Sequence, residues 1–173
     1  MSISSNKRRS STHLFSACAL ATAGLCLMAQ SSVATVEPPN PKDLTQGNWV
    51  LRGNDSKYCK VAPKQSGREI VDVGWGMMAT HWTGVDSKGA PVDIRYVWRY
   101  DGQKYPADIL KRVDVAISWK LVNPRRVEFV DWSKDDKVIA QNVRTVSDDG
   151  QTMTQRTTYP GQSCEDVQVF ARQ

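Results

Sequence analysis

Between Val92 and Tyr100 the chain alternates with a period of two: Val92, Ile94, Tyr96, Trp98 and Tyr100 fall on one side, Asp93, Arg95 and Arg99 on the other, with Val97 the exception. Val113, Val115, Ile117, Trp119 and Leu121 repeat the pattern against Asp114, Ser118 and Lys120. Successive side chains of a strand point to opposite faces, so each segment predicts a strand with one dry face and one wet face. Less regular segments predict further strands at Asn48–Arg52, Glu69–Val73, Met77–Gly84, Arg126–Trp132, Val138–Ser147, Thr152–Thr158 and Val167–Arg172. No segment after residue 41 keeps a 3.6-residue period over a full helix length.

Turn residues punctuate these segments at hairpin spacing: Asp86-Ser-Lys-Gly89, Asp101-Gly102, Asn123-Pro124, Asp135-Asp136 and Asp148-Asp149-Gly150. Short strands joined by successive tight turns predict an all-β, antiparallel up-and-down meander of about eight or nine strands, closed into a barrel. Closure removes the unpaired strand edges that otherwise invite aggregation.

The amino terminus follows a different rule. Lys7, Arg8 and Arg9 precede an apolar or small run, Leu14 to Ala29, with no acidic residue nearby. Its 16 residues fall short of the roughly 20 that span a bilayer as a helix. Ser32-Val33-Ala34 then places small residues where a signal peptidase cuts. Residues 1–34 are therefore expected to be a secretory signal cleaved after Ala34, with 35–43 a proline-rich spacer and 44–173 the folded domain. Arg8-Arg9 lacks the apolar pair of a twin-arginine signal, and neither Cys18 nor Cys26 sits in a good lipidation context. Removing 34 of the 173 residues leaves 139, room for one core. Taking the three leader cations from the chain's +5 leaves +2, which withdraws the compositional support for nucleic-acid binding.

Cleavage removes Cys18 and Cys26 and leaves Cys59 and Cys164, an even pair bound for an oxidising compartment. A disulfide is expected, two buried thiols being the alternative; without C-x-x-C a redox pair is disfavoured. The same export predicts a periplasmic or extracellular location and no stable membrane span.

Gly47-Asn-Trp49, within Leu44 to Leu51, resembles the G-x-W that opens lipocalin barrels. Together with Tyr100-Asp-Gly-Gln-Lys-Tyr-Pro106, Lys111-Arg-Val-Asp114, the Val146–Thr154 hairpin and the ending Val169-Phe-Ala-Arg-Gln173, it resembles a largely uncharacterised group of small exported bacterial proteins with a lipocalin-like domain. The resemblance implies a barrel open at one end, an internal pocket for a small apolar ligand and no cofactor. It also implies that Trp49 packs at the closed end under an arginine from a late strand, for which Arg156 and Arg172 are both candidates.

Tyr96, Trp98, Tyr100 and Trp119 are the candidate pocket residues, though the same rings are needed for a core: each buries about 150–250 Å², roughly 4–6 kcal/mol of gross transfer energy. His81 stands without the partners that tune a general base, and no nucleophile elbow, zinc helix or phosphate loop is present, so no catalytic residue and no metal ligand set is assigned. The Asp135-Asp136 and Asp148-Asp149 pairs lack calcium-loop spacing and read as turns. Arg125 and Arg126, with Lys134 and Lys137, read as solvated hairpin ends. The expected function is an exported binding module for a small apolar ligand in the cell envelope. The alternative is a protein-interaction or inhibitor module that uses its loops and holds no small molecule.

Overall fold

A computed structural model describes residues 42–59, 61–107 and 114–173. The expected signal, its cleavage site at Ala34 and nearly all of the spacer lie outside these residues, as does Val113. Ten strands follow in chain order: β1 (Gly47–Leu51), β2 (Gln65–Gly74), β3 (Met77–Val85), β4 (Pro91–Trp98), β5 (Lys104–Pro106), β6 (Val115–Asn123), β7 (Arg126–Ser133), β8 (Val138–Val146), β9 (Thr152–Thr158) and β10 (Glu165–Arg172). One 3₁₀ turn, Gly53–Asp55, is the only helical element among the described residues.

All ten strands form one antiparallel sheet in the order β4-β3-β2-β1-β10-β9-β8-β7-β6-β5. Every hairpin neighbour in sequence is a neighbour in space except β4 and β5, and the first and last strands meet where β1 pairs with β10 through Trp49 and Arg172. The barrel is therefore an up-and-down meander with one seam, between β4 and β5, that no strand ladder closes. The count exceeds the expected eight or nine by the three-residue β5, too short to show an alternating pattern. Glu69–Val73 also proves to be the second half of a ten-residue strand, because Ser66 and Arg68 occupy inward positions that look like loop chemistry in sequence.

Side chains do what the ladder does not do across the seam. Trp98 of β4 stacks on Trp119 of β6 with ring centres 4.1 Å apart, and Trp119 stacks on Phe129 of β7 at 4.1 Å. Around this stack Trp49, Ile70, Met78, Val127, Met153 and Phe170 complete a buried apolar core. The even residues of β4 and odd residues of β6 that alternation assigns to the dry face supply its centre, with Ile94, Trp98, Ile117 and Trp119 all buried.

Cys59 and Cys164 form a disulfide across 105 residues of chain, with Cα atoms 5.7 Å apart. It ties the connector between β1 and β2 to the turn that leads into β10. Lys57 supports the tie by pairing with Val167. A disulfide fits an oxidising compartment. Among the described residues no helix is long and apolar enough to cross a membrane.

Candidate functional site

The two ends of the barrel differ in chemistry. At the β1/β10 end the Trp49 ring lies beneath the Arg172 guanidinium, 4.2 Å from ring centre to Cζ. Arg172 donates from Nε to the Gly150 carbonyl (2.7 Å) and from its two terminal nitrogens to those of Gln46 and Leu44 (2.8 Å each). Trp49 in turn donates its indole N–H to the Thr45 carbonyl at 2.7 Å. The buried Asp43 accepts from the Thr45 amide and hydroxyl (2.8 Å each) and from the Tyr100 hydroxyl. Burial, reinforced by the Asp43 carboxylate, pushes the Tyr100 hydroxyl well above its ordinary range. This end is plugged by polar groups that satisfy one another. Arg156, the other candidate, pairs with Glu165 outside the barrel.

The opposite end holds a cavity of about 210 Å³. Its wall draws on β2, β3, β4, β6, β7, β8, β9 and β10, so only closure of the barrel creates it. Trp82, Tyr96, Ile117 and Phe129 provide an apolar side, and Arg68, Asp131, Asn142, Arg144, Gln155 and Thr157 a polar one. Tyr159, Asp166 and Gln168 line the part nearest the β9–β10 turn. There Asp166 accepts from the Cys59 amide (2.6 Å) and the Tyr159 hydroxyl (2.7 Å), which joins the cavity rim to the disulfide.

Two guanidiniums dominate the electrostatics. Arg68 is 6 % exposed and Arg144 2 %. Arg144 donates from Nε to Gln155 Oε1 at 2.8 Å, and its guanidinium lies 4.8 Å from the Phe129 ring centre. Arg68 lies between two rings, 4.4 Å from the centre of Trp82 and 5.4 Å from that of Phe170, and its buried Nε has no hydrogen-bond partner. Desolvation, followed by repulsion from Arg144, pulls the Arg68 guanidinium down to about 10. Burial conversely pushes the Asp131 carboxyl up to about 6, although the nearby Asn142 amide, Arg144 and Arg68 all favour its charged form. Arg68 Nε is joined by two buried pairs that face each other short of hydrogen-bond geometry, Asp131 Oδ1 with Asn142 Nδ2 and Gln168 Oε1 with the Tyr58 hydroxyl. Such groups are costly to leave unpaired.

The four aromatic candidates separate. Tyr96 lines the cavity. Trp98 and Trp119 are fully buried in the stack beneath it, and Tyr100 is held by Asp43 at the plugged end. Gly47 and Trp49 lie at that plugged end, away from the cavity. His81 sits on the outer face of β3, bonded at 2.8 Å to Asp93 and 3.7 Å from a Glu69 oxygen. Arg68, Asp131, Asn142 and Arg144 were missed because polar side chains within an alternating segment read as the wet face. Nothing in one dimension separates a polar residue pointing inward from one pointing out; the available signal was two arginines at alternate-residue spacing from core positions, Arg68 before Ile70 and Arg144 before Val146.

Outside the cavity one side chain is conspicuous. Trp75 occupies the β2–β3 turn at φ +56°, between two positive-φ glycines, and is 87 % exposed.

No family model matches the chain, and no curated protein matches it in sequence. Solved structures do resemble it in fold. The fluorescent protein UnaG is 17 % identical and superposes with a TM-score of 0.57, over 74 % of this chain and 96 % of that one. As-p18, an extracellular fatty acid binding protein, is 10 % identical with a TM-score of 0.57, over 78 % of this chain and all of the other. A luciferase domain from the dinoflagellate Lingulodinium polyedrum is 12 % identical with a TM-score of 0.53, over 76 % of this chain and 43 % of that one. At these identities the likeness is one of fold.

Proposed function

We propose that the protein is an exported binding module that holds a small ligand inside its barrel. One observation carries the reading: a cavity of about 210 Å³ in the barrel whose lining combines an apolar wall with buried polar atoms that are incompletely hydrogen-bonded. Proteins pack their interiors to crystal density and pair their buried polar groups, so a space that does neither is a place for a guest. The leader read in the sequence and the Cys59–Cys164 disulfide support a site of action outside the cytoplasm. That a fatty acid binding protein shares the fold adds support for a carrier of small molecules.

Native mass spectrometry of protein purified from its own host tests this directly. The expected result is a retained small molecule as added mass, lost in an Ala140→Phe variant that places a ring in the cavity. A protein that carries no added mass and binds none of the probes named below would remove the proposal.

The alternative, recognition of another protein through loops, draws on the exposed Trp75 at its hairpin tip. A Trp75→Ser variant separates the two readings, since it leaves the cavity intact. Loss of biological activity in that variant, with the retained mass unchanged, would move the function to the hairpin.

A further inference from the structure

The barrel interior is neither a greasy sleeve nor large, and its size, charge and unpaired atoms each restrict what it holds. Resting on the reading that the interior is the binding site, we propose that its ligand is a small single-ring acid that also carries a hydroxyl or amino group. Arg68 and Arg144 receive the acid group, and Asp131 accepts the hydrogen bond from the donor.

Size sets the first limit. A cavity of roughly 150 Å³ holds benzene, whereas drug-sized ligands occupy roughly 300–1,000 Å³. At about 210 Å³ the space takes one ring and a few further atoms. Deeper entry of a long alkyl chain is blocked by the Trp98–Trp119–Phe129 stack, whose rings lie at 4.1 Å spacings.

Charge sets the second. Two guanidiniums, both more than nine-tenths buried, face the same space. The acids that share the lining are Asp131 and Asp166. Asp166 sits at the rim, where it accepts from the Cys59 amide and the Tyr159 hydroxyl, and Asp131 is the inner carboxylate whose charge acts on both Arg68 and Arg144. An uncompensated buried charge is costly, and a bidentate acid group is the partner that a guanidinium fork matches best. One anion therefore fits, and a dianion or a neutral hydrocarbon does not.

The unpaired atoms set the third. They comprise the donor Arg68 Nε and two pairs that face each other short of hydrogen-bond geometry, Asp131 Oδ1 with Asn142 Nδ2 and Gln168 Oε1 with the Tyr58 hydroxyl. A simple carboxylate satisfies donors alone. Occupying the acceptors as well takes a ligand with an N–H or O–H of its own, and a site built to receive such a group discriminates strongly against analogues that lack it. The flat apolar side of Trp82 and Tyr96 offers the ring its stacking surface.

Isothermal titration on the disulfide-bonded mature protein, stripped of retained ligand, tests the proposal with five probes: 4-hydroxybenzoate, 4-aminobenzoate, benzoate, phenol and decanoate. At least one of the first two should bind at least about tenfold more tightly than benzoate, phenol or decanoate. Arg68→Met should weaken that probe by about 30-fold or more, while an unchanged circular dichroism spectrum shows that the barrel persists. Asp131→Asn should weaken it about tenfold yet leave benzoate unchanged or tighter, a split that a merely misfolded variant cannot produce. Decanoate or phenol binding most tightly, with Arg68→Met without effect, would overturn this inference and leave interior binding standing. If no probe binds and the host-purified protein carries no added mass, interior binding falls as well. If no probe binds but a mass is retained, its identity decides: a hydrocarbon or long-chain lipid overturns the inference, and a ring acid with a hydroxyl or amino group upholds it.

Discussion

Arg172 and Trp49 are paired residues across the β1–β10 ladder, and the guanidinium of one roofs the indole of the other at 4.2 Å. The pair joins the first strand to the last within the sheet. Arg172→Met removes three hydrogen bonds to carbonyls as well as the cation–π contact, so it should destabilise the fold by about 3 kcal/mol in urea denaturation. Gly47 sits beside the same guanidinium at φ +124°, and a Cβ there would lie 2.5 Å from an Arg172 terminal nitrogen. Gly47→Ala should therefore cost about 1–3 kcal/mol, and a double-mutant cycle should find that cost smaller in the Arg172→Met background. Additive costs would show that the glycine is needed for its backbone conformation alone.

The aromatic stack is the side-chain bridge over the β4/β5 seam. Trp119→Ala should cost about 3–5 kcal/mol and abolish the near-ultraviolet signal of the stacked rings. A loss below about 1 kcal/mol would mean that the seam is held by something other than Trp98, Trp119 and Phe129.

The disulfide joins residues 105 apart, and closure of so long a loop is worth up to about 4–5 kcal/mol in the chain-entropy account. Replacing both Cys59 and Cys164 by serine should lower the thermal midpoint and expose the 52–64 connector to limited proteolysis before the rest of the barrel. Cleavage that begins elsewhere would contradict the assignment of this bond as the strap of the cavity rim.

Asp131 makes stability depend on pH in a direction opposite to that of a salt-bridged carboxylate. Its value is raised from 3.8 to about 6 by burial, so the folded state holds the proton more tightly than the unfolded chain. The corresponding stability is fully present below pH 3.8 and is lost as pH rises through 6. Asp131→Asn, which mimics the protonated form, should therefore raise the stability of the ligand-free protein at pH 8 by on the order of 1–3 kcal/mol and change it little at pH 4. Thermal melts of the two proteins at both pH values check the sign. Equal shifts at pH 4 and pH 8 would show that the carboxyl is not perturbed.

Much of the barrel was legible in one dimension, and the reason is visible strand by strand. In β4 and β6 the inward positions are apolar and most outward ones polar, so alternation reveals both the strand and its dry face. In β9 the boundaries Thr152–Thr158 follow from the flanking turn residues. The candidate cavity was less legible because its strands break the same rule. In β8 the inward residues are Ala140, Asn142, Arg144 and Val146, Ile139 reaches the cavity too, and the outward set includes Val143. Read by hydropathy alone, this strand is inside out.

Local chemistry along the chain was sufficient for an all-β meander, for the turns that reverse it and for Cys59 and Cys164 as a disulfide pair. Pairing register and closure were needed for the rest: that Arg172, not Arg156, meets Trp49; that Trp98 and Trp119 become a plug; and that Arg68, Asp131 and Arg144, on three separated strands, face one small space. A period of two states that neighbouring residues look in opposite directions. Which direction is the interior depends on what the other strands contribute, and that is a property of the closed barrel.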